Sequence, residues 1–308
     1  MKTVVFAYHD MGLTGLSALQ RAGFEITAVF SHADDPGENC WFGSVPEWAK
    51  ENNVPLFCPE NVNTGAWFAK ISSWTPDVIF SFYYRHLLAG EILAVPPGGA
   101  FNLHGSLLPQ YRGRCPVNWV LVNGETKTGV TLHRMVDKAD AGDIVAQQEV
   151  PIAVTDTAHS LYEKLCRQAT ILLDEALPLI KAGTAPHIPQ DWRQGSYCGR
   201  RTPADGRIYW HWPAQRIYNL IRAVTEPYPG AFTFTASGDM ITIWWAQPEA
   251  GASIPPGQAG QVQCEKDAVF VCADGGRIRL LDVEINGKRL KNSEIEDYFK
   301  EREGEVLL

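Results

Sequence analysis

Several short runs in the first third of the chain are apolar at nearly every position, and a strand of that kind cannot lie with one face in water. Thr3–Tyr8 (TVVFAY), Ile26–Phe30, Val54–Phe57, Asp77–Phe82 and Gly99–Leu103 all read this way. Helical patterns separate them. Gly15–Ala22 carries Leu16, Leu19 and Ala22 on one face, and Trp67–Trp74 has the same period. Strands covered on both faces and joined by helices predict a doubly wound, mostly parallel, Rossmann-like α/β sheet. Thr128–Met135 and Ile144–Val150 read as two further strands, and Ser160–Lys181 as a long amphipathic helix.

The texture then changes. Residues 186–204 hold Pro and Gly with little apolar periodicity and read as a linker. Beyond it, Ala231–Thr235, Met240–Ala246, Gln261–Gln263, Ala268–Cys272 and Arg277–Val283 are short runs between Gly- and Pro-rich turns. That spacing predicts a small OB-type β-barrel. The expected organisation is therefore an α/β domain over 1–185, a linker over 186–204 and a barrel over 205–308. Trp210, Trp212, Trp244 and Trp245 read as barrel core.

Charge and cysteine content narrow the functional classes. The formal net charge is −8, which argues against a general nucleic-acid binder. The seven cysteines are odd in number and none form C-x-x-C, so reduced thiols are expected and a disulfide framework is not. No stretch approaches the ~20 apolar residues of a membrane span. The N-terminus reaches His9 and Asp10 too early for a signal peptide, so a cytoplasmic location is the expectation. The segment Tyr8–Gly15 after the first strand is not G-x-G-x-x-G and reads as a tight β–α turn, so no nicotinamide is expected.

Chemistry concentrates where the strand ending Asn102-Leu103-His104 gives way to Gly105. Residues two apart on a strand share a side, so Asn102 and His104 are expected to converge at the carboxyl edge, with Leu103 in the opposite layer. Acyl transfer to an amine needs a base for the amine proton and a donor for the oxyanion. Imidazole suits the first role and a carboxamide the second. Asp140, in the polar loop Asp137–Gly142, is the expected orienting carboxylate. His133 reads as a packed or partly exposed histidine of the next strand. No cluster of ligands completes a metal site, and none is expected.

A longer pattern sharpens this. Phe101–Pro109 (FNLHGSLLP), then Tyr111-Arg112-Gly113-Arg114, Gly129-Val130-Thr131-Leu132-His133 and Asp140-Ala141-Gly142-Asp143-Ile144 resemble the folate-dependent formyltransferases in order and spacing. Asp205–Trp210 and Arg222–Phe232 resemble the segments that open the C-terminal barrel of the two-domain members. By that resemblance, the formyl donor is 10-formyltetrahydrofolate. Asn102, His104 and Asp140 are the catalytic set. His86, Leu87, Leu88, Arg114 and the loop Val136, Asp137, Lys138, Ala139 and Asp140 line the folate pocket.

Within the two-domain branch, methionyl-tRNA enzymes and sugar-nucleotide enzymes compete. The loop Ser31–Ser44, where the tRNA enzymes are basic, carries Asp34, Asp35 and Glu38 and no Lys or Arg. Residues 205–308 hold 15 acidic and 11 basic side chains, net −4, which would repel a tRNA backbone. The segments MKTVVFAYHDMG, Ser81–Leu87 (SFYYRHL), Asn102–Arg114, Asn118–Thr126 and Gly199–Pro203 resemble the formyltransferase half of the bifunctional polymyxin-resistance enzymes. That resemblance implies UDP-4-amino-4-deoxy-L-arabinose as acceptor, on the route to lipid A modification. It also implies a UDP-glucuronate decarboxylase as a fused or separate partner, which is not in this sequence, and it leaves a homo-oligomer open. Arg200 and Arg201 are candidates for the UDP diphosphate, an inter-domain salt bridge being the equal alternative. A formyltetrahydrofolate hydrolase and a non-catalytic folate-binding scaffold complete the alternatives, the second disfavoured by the intact Asn102/His104/Asp140 set.

Overall fold

The computed structural model describes residues 1–34, 39–250 and 258–308. Asp35 and Glu38 of the acidic loop lie outside the described residues. Contacts divide the chain into two compact units: 1–116, 127–152 and 162–199 in the first, and 117–126, 153–161 and 200–308 in the second.

The first unit is built on a seven-stranded sheet. Its strands are β1 (Lys2–Ala7), β2 (Glu25–Phe30), β3 (Leu56–Phe57), β4 (Val78–Phe82), β5 (Ala100–His104), β7 (Lys127–Arg134) and β8 (Ile144–Pro151). A short strand β6 (Arg112–Gly113) pairs outside this sheet with β9 (Tyr197–Cys198). The order is β3-β2-β1-β4-β5-β7-β8, with β1 to β5 parallel. Strands β7 and β8 run antiparallel to their neighbours. The helices are α1 (His9–Arg21), α2 (Val45–Glu51), α3 (Gly65–Ser73) and α4 (Gly90–Leu93), with the later part of α6 (Ala158–Ala182). Helix α5 (Pro116–Val122) falls almost wholly in the second unit. The mostly parallel sheet agrees with the sequence expectation.

Alternation along the strands builds two packing layers. Val4, Phe6 and Ile79 join one core cluster with Phe30, Ile92 and Ala100, onto which Trp67 and Trp74 of the α3 region pack. Phe6 stacks on Phe30 with centroids 4.8 Å apart. Each fully buried side chain of this kind contributes about 1.5–3 kcal/mol. The segment expected as a β–α turn is instead the start of α1, which begins at His9. Its glycine is there for packing: a Cβ on Gly15 would overlap the Phe82 ring, so glycine lets α1 lie close against β4.

Part of the segment expected as a linker is ordered against the first unit. Ile144 and Ile188 exchange backbone hydrogen bonds at 2.8 and 2.9 Å, and β9 pairs with β6.

In the second unit, β10 (Ala231–Phe234), β11 (Met240–Ala250), β12 (Val262–Glu265), β13 (Ala268–Ala273), β14 (Gly276–Ile285) and β15 (Lys288–Lys291) form one antiparallel sheet. Its order is β10-β11-β14-β13-β12, with β15 on β14. The chain's last residues link the two edges. Val262 N–H donates to Glu305 O at 2.8 Å beside β12, and Leu308 N–H donates to Phe234 O at 2.8 Å beside β10. Helices α7 (Ala214–Val224) and α8 (Ser293–Phe299) complete the unit. Of the four tryptophans expected in its core, only Trp210 is buried; Trp212, Trp244 and Trp245 are half-buried. The reason is partly polar: Trp244 Nε1 donates to Glu284 at 3.2 Å, and Arg216 lies 4.0 Å over the Trp212 ring.

Candidate active site

The sheet order reverses between β1 and β4, and ligands of open α/β sheets gather beyond the carboxyl ends of strands at such a point. The strain in the backbone gathers there too. Non-glycine residues with positive φ include His9 after β1, Tyr83 after β4, Tyr111 and Cys115 after β5, and Asp140 after β7. Bulky side chains take that conformation at a cost, and such residues cluster at functional sites.

Asp140 is the hub. Its Oδ2 accepts from Gly113 N–H at 2.8 Å. Its Oδ1 lies 3.5 Å from Asn102 Nδ2, 3.6 Å from His104 Nδ1 and 3.5 Å from His133 Nε2. Burial pushes this carboxyl up, but His104, His133 and the Gly113 N–H outweigh it. Asp140 is held well below the ordinary carboxylate range. Gln190 fixes the same loop from behind, donating to Asp140 O at 3.0 Å and Gly142 O at 2.7 Å.

Asn102 and His104 do converge, and Leu103 is buried in the opposite sense. Two details were not foreseen. His104 Nε2 donates to the Tyr111 carbonyl at 2.8 Å, so the ring is braced on the side away from Asp140. The Asn102 amide nitrogen faces His133 Nε2 at 3.2 Å as well as Asp140. His133 is therefore part of the cluster and not a packed bystander. Its Nδ1 donates to the Arg134 carbonyl at 2.7 Å, which leaves Nε2 to accept from Asn102.

The residues expected to line a pterin slot divide by exposure. Leu88 is buried in the core cluster, while Leu87 is 64% and Val136 47% exposed. His86 is exposed and edge-on to His32, with centroids 4.8 Å apart. His32, which sequence reading passed over, accepts from Arg85 N–H at 2.9 Å. Burial, then His86 and Arg85, pull its pKa down to about 4, so it is neutral near pH 7. Arg114 is exposed and donates to Arg85 O at 3.2 Å. Asp137 and Lys138 are exposed, and Ala139 is half-buried.

His9 was also read only as turn. Its ring stacks on Phe42 at 3.8 Å, and its Nδ1 is 2.6 Å from the Tyr162 hydroxyl. Arg200 and Arg201 belong to the second unit, where Arg201 lies 4.7 Å over Trp119 and donates to Asp205 O at 2.8 Å. Arg200 is exposed. Among the described residues, no group of three or more His, Cys, Asp or Glu is placed to hold a metal ion. No helix among them is long and apolar enough to cross a membrane.

Comparison with known proteins decides the family. The formyl transferase profile matches residues 3–177, more than half of the chain, and the formyl transferase C-terminal domain profile matches 200–302. The chain belongs to the formyl transferase family. Solved structures share its fold. An N-formyltransferase from Helicobacter canadensis, in complex with folinic acid and dTDP-3-aminofucose, aligns with TM-score 0.70 at 20% identity, over 91% of this chain and 98% of that one. WlaRD, a sugar 3N-formyltransferase in the presence of dTDP and 5-N-formyl-THF, aligns with TM-score 0.71 at 20% identity, over 94% and 98%. HypX from Aquifex aeolicus, in complex with tetrahydrofolic acid, gives TM-score 0.62 at 18% identity, over 97% of this chain and 47% of that one.

Proposed function

We propose that this formyltransferase moves the formyl group of 10-formyltetrahydrofolate onto the 4-amino group of UDP-4-amino-4-deoxy-L-arabinose, a step toward cationic lipid A and polymyxin resistance. The observation that carries the reading is the convergence of Asn102, His104 and His133 on Asp140 at the carboxyl edge of the sheet. Support for a folate donor and a sugar-nucleotide acceptor comes from the ligands of two structures of the same fold. Support for the arabinose acceptor comes from the sequence motifs alone.

In this mechanism the acceptor ammonium gives up a proton and its nitrogen attacks the formyl carbon. With its Nε2–H committed to the Tyr111 carbonyl, His104 takes that proton at Nδ1, beside the Asp140 carboxylate, and returns one to the departing folate nitrogen. Asp140, a carboxylate, stabilises the imidazolium that forms. Asn102 stabilises the oxyanion. Its contact to Asp140 is at the outer limit of a hydrogen bond, 3.5 Å, so an arriving oxyanion competes for that N–H. Exposed Leu87 and Val136 fit an apolar pterin face, with His86, Arg114 and the backbone of residues 136–140 supplying polar contacts. Leu88 supports that slot from the core. Arg200 is the freer of the arginine pair and the candidate for phosphate oxygens; Arg201 is already engaged.

Three of the second unit's cations are neutralised by carboxylates, which favours a small acceptor. Arg277 pairs with Glu249 and Glu265, Arg289 with Glu226 and Asp282, and Lys291 with Asp282. Cations neutralised in this way offer little to a phosphate backbone.

The test is an acceptor screen with labelled 10-formyltetrahydrofolate against UDP-4-amino-4-deoxy-L-arabinose, a dTDP-amino sugar, methionyl-tRNA and water. Label should appear in the UDP-sugar, and His104→Ala should lower kcat by about 10²–10⁴-fold with the fold intact. Label appearing only in methionyl-tRNA, or only as formate, would overturn the reading.

A further inference from the structure

One exposed aromatic at the rim of the site has no role in the mechanism. Trp192 opens a short 3₁₀ turn, Trp192–Gln194, and its indole is 46% exposed. Two cations lie over it. Lys138 Nζ is 4.2 Å from the ring centroid and the Arg112 guanidinium carbon 5.7 Å. Both come from segments that hold Asp140. Lys138 is two residues before it, and Arg112 immediately precedes Gly113, whose N–H donates to its carboxylate. Gln190 ties the tryptophan's own segment to the Asp140 loop.

What these cations lack is an anion. Among the described residues neither Lys138 nor Arg112 forms an ion pair, and Arg112 Nε is buried with no hydrogen-bond partner. The neighbouring carboxylate, Asp137, lies instead against Gly90. In a chain of net charge −8, two adjacent cations without a carboxylate, held in place by an indole, are an unsatisfied arrangement. A planar guanidinium and an ammonium suit carboxylate oxygens, and the exposed indole suits an aryl or amide group beside them.

We propose that Trp192, Lys138 and Arg112 form a subsite for the anionic tail of the formyl donor: the aryl amide against the indole and the γ-linked glutamyl carboxylates on the two cations. This rests on the folate reading above and deepens it, since it specifies donors carrying several glutamates. A diphosphate shares the anionic chemistry, and the test separates the two sources.

The experiment measures the Kd of 5-formyltetrahydrofolate as monoglutamate and as pentaglutamate, and of UDP, for the full chain and for Lys138→Gln, Arg112→Gln and Trp192→Leu. The wild type should prefer the pentaglutamate by about 5–10-fold at low salt, the scale of two part-exposed charge pairs. The preference should shrink as ionic strength rises. Within each variant the ratio of the two folate affinities should fall toward one, while the UDP affinity stays at the wild-type value. Lys138 and Trp192 are exposed, so their variants keep the test open if Arg112→Gln folds poorly. Equal binding of the two folates by the wild type, or a ratio that survives all three substitutions, overturns the subsite alone. Loss of UDP affinity with the folate ratio intact reassigns the cations to the diphosphate and also overturns it. A wild-type chain that binds neither folate would instead sink the proposed function.

Discussion

At the residue scale the centre is organised by sharing. One carboxylate oxygen of Asp140 faces an amide and two imidazoles, and its other oxygen takes a backbone N–H. Because its pKa is driven below the usual range, Asp140 is a carboxylate near neutral pH, and an acid limb of the rate profile near neutrality belongs to other groups. His133 then acts as a positioning residue. Its Nδ1–H is committed to the Arg134 carbonyl, so its Nε2 fixes which way the Asn102 amide points. His133→Leu should lower kcat by about 10–100-fold with little change in KM, the scale of a small misplacement of a reacting group. His133→Gln, whose side chain can still present an acceptor oxygen, should recover much of the loss. Equal impairment of both variants, in KM and kcat alike, would reduce His133 to a packing residue. Its part was not legible in the sequence because it depends on register. Asn102 is directly opposite His133 across the β5–β7 pair, as His104 is opposite Thr131, and the sequence motifs do not state that pairing.

At the scale of elements, the strands were readable because burial on both faces leaves an apolar run, and the ends of β4 and β5 lie within a residue of expectation. Short helices were less so. Helix α2 is only seven residues long, and its signals are confined to its start: Ser44, which caps the backbone of Glu47 in an S-x-x-E pattern, and Pro46 in the first turn. Helix α7 carries Ile217, Leu220, Ile221 and Val224 on a helical stripe that a search for short strands overlooks. The loop after β7 is the element on which the site depends most. A side chain at Gly142 would meet the Arg134 carbonyl, and Arg134 O is also where His133 is anchored. Gly142→Ala should therefore displace the Asp140 loop, cutting kcat/KM by at least about tenfold while costing only about 1–3 kcal/mol of stability, the range for forcing an extra methyl into a packed position. Unchanged turnover in a folded Gly142→Ala enzyme would show that the loop position is not fixed by this contact.

For the whole molecule, the sequence suggests a clean cut in the Pro- and Gly-rich stretch after residue 185, but the contacts divide the chain differently. Two segments from the first half of the chain, 117–126 and 153–161, belong with the C-terminal unit. Their partners explain why. Asn118 Nδ2 donates to Ala223 O at 2.8 Å, and the Tyr218 hydroxyl to Val154 O at 2.9 Å. Arg222, itself buried, donates to Ala153 O at 3.2 Å and Asp156 O at 3.3 Å. Val117, Val120, Leu121 and Leu161 are buried in the same segments. Every partner named here lies on α7, so none of these bonds could be foreseen without recognising that helix. A fragment of residues 1–199 would keep the Asn102/His104/Asp140 centre but strand these carbonyls and apolar side chains. Stripping a buried aliphatic side chain of its cover costs about 1.5–3 kcal/mol. Each kcal/mol lowers the melting temperature by about 2–4 °C in a fragment of this size. The fragment should therefore melt at least about 10 °C below the full chain or aggregate, and co-expression with residues 200–308 should restore it. Thermal denaturation of the fragment, alone and co-expressed, checks this. A fragment that melts with the full chain would mean that 117–126 and 153–161 hold their structure without α7, and that the boundary lies where the composition of the sequence changes.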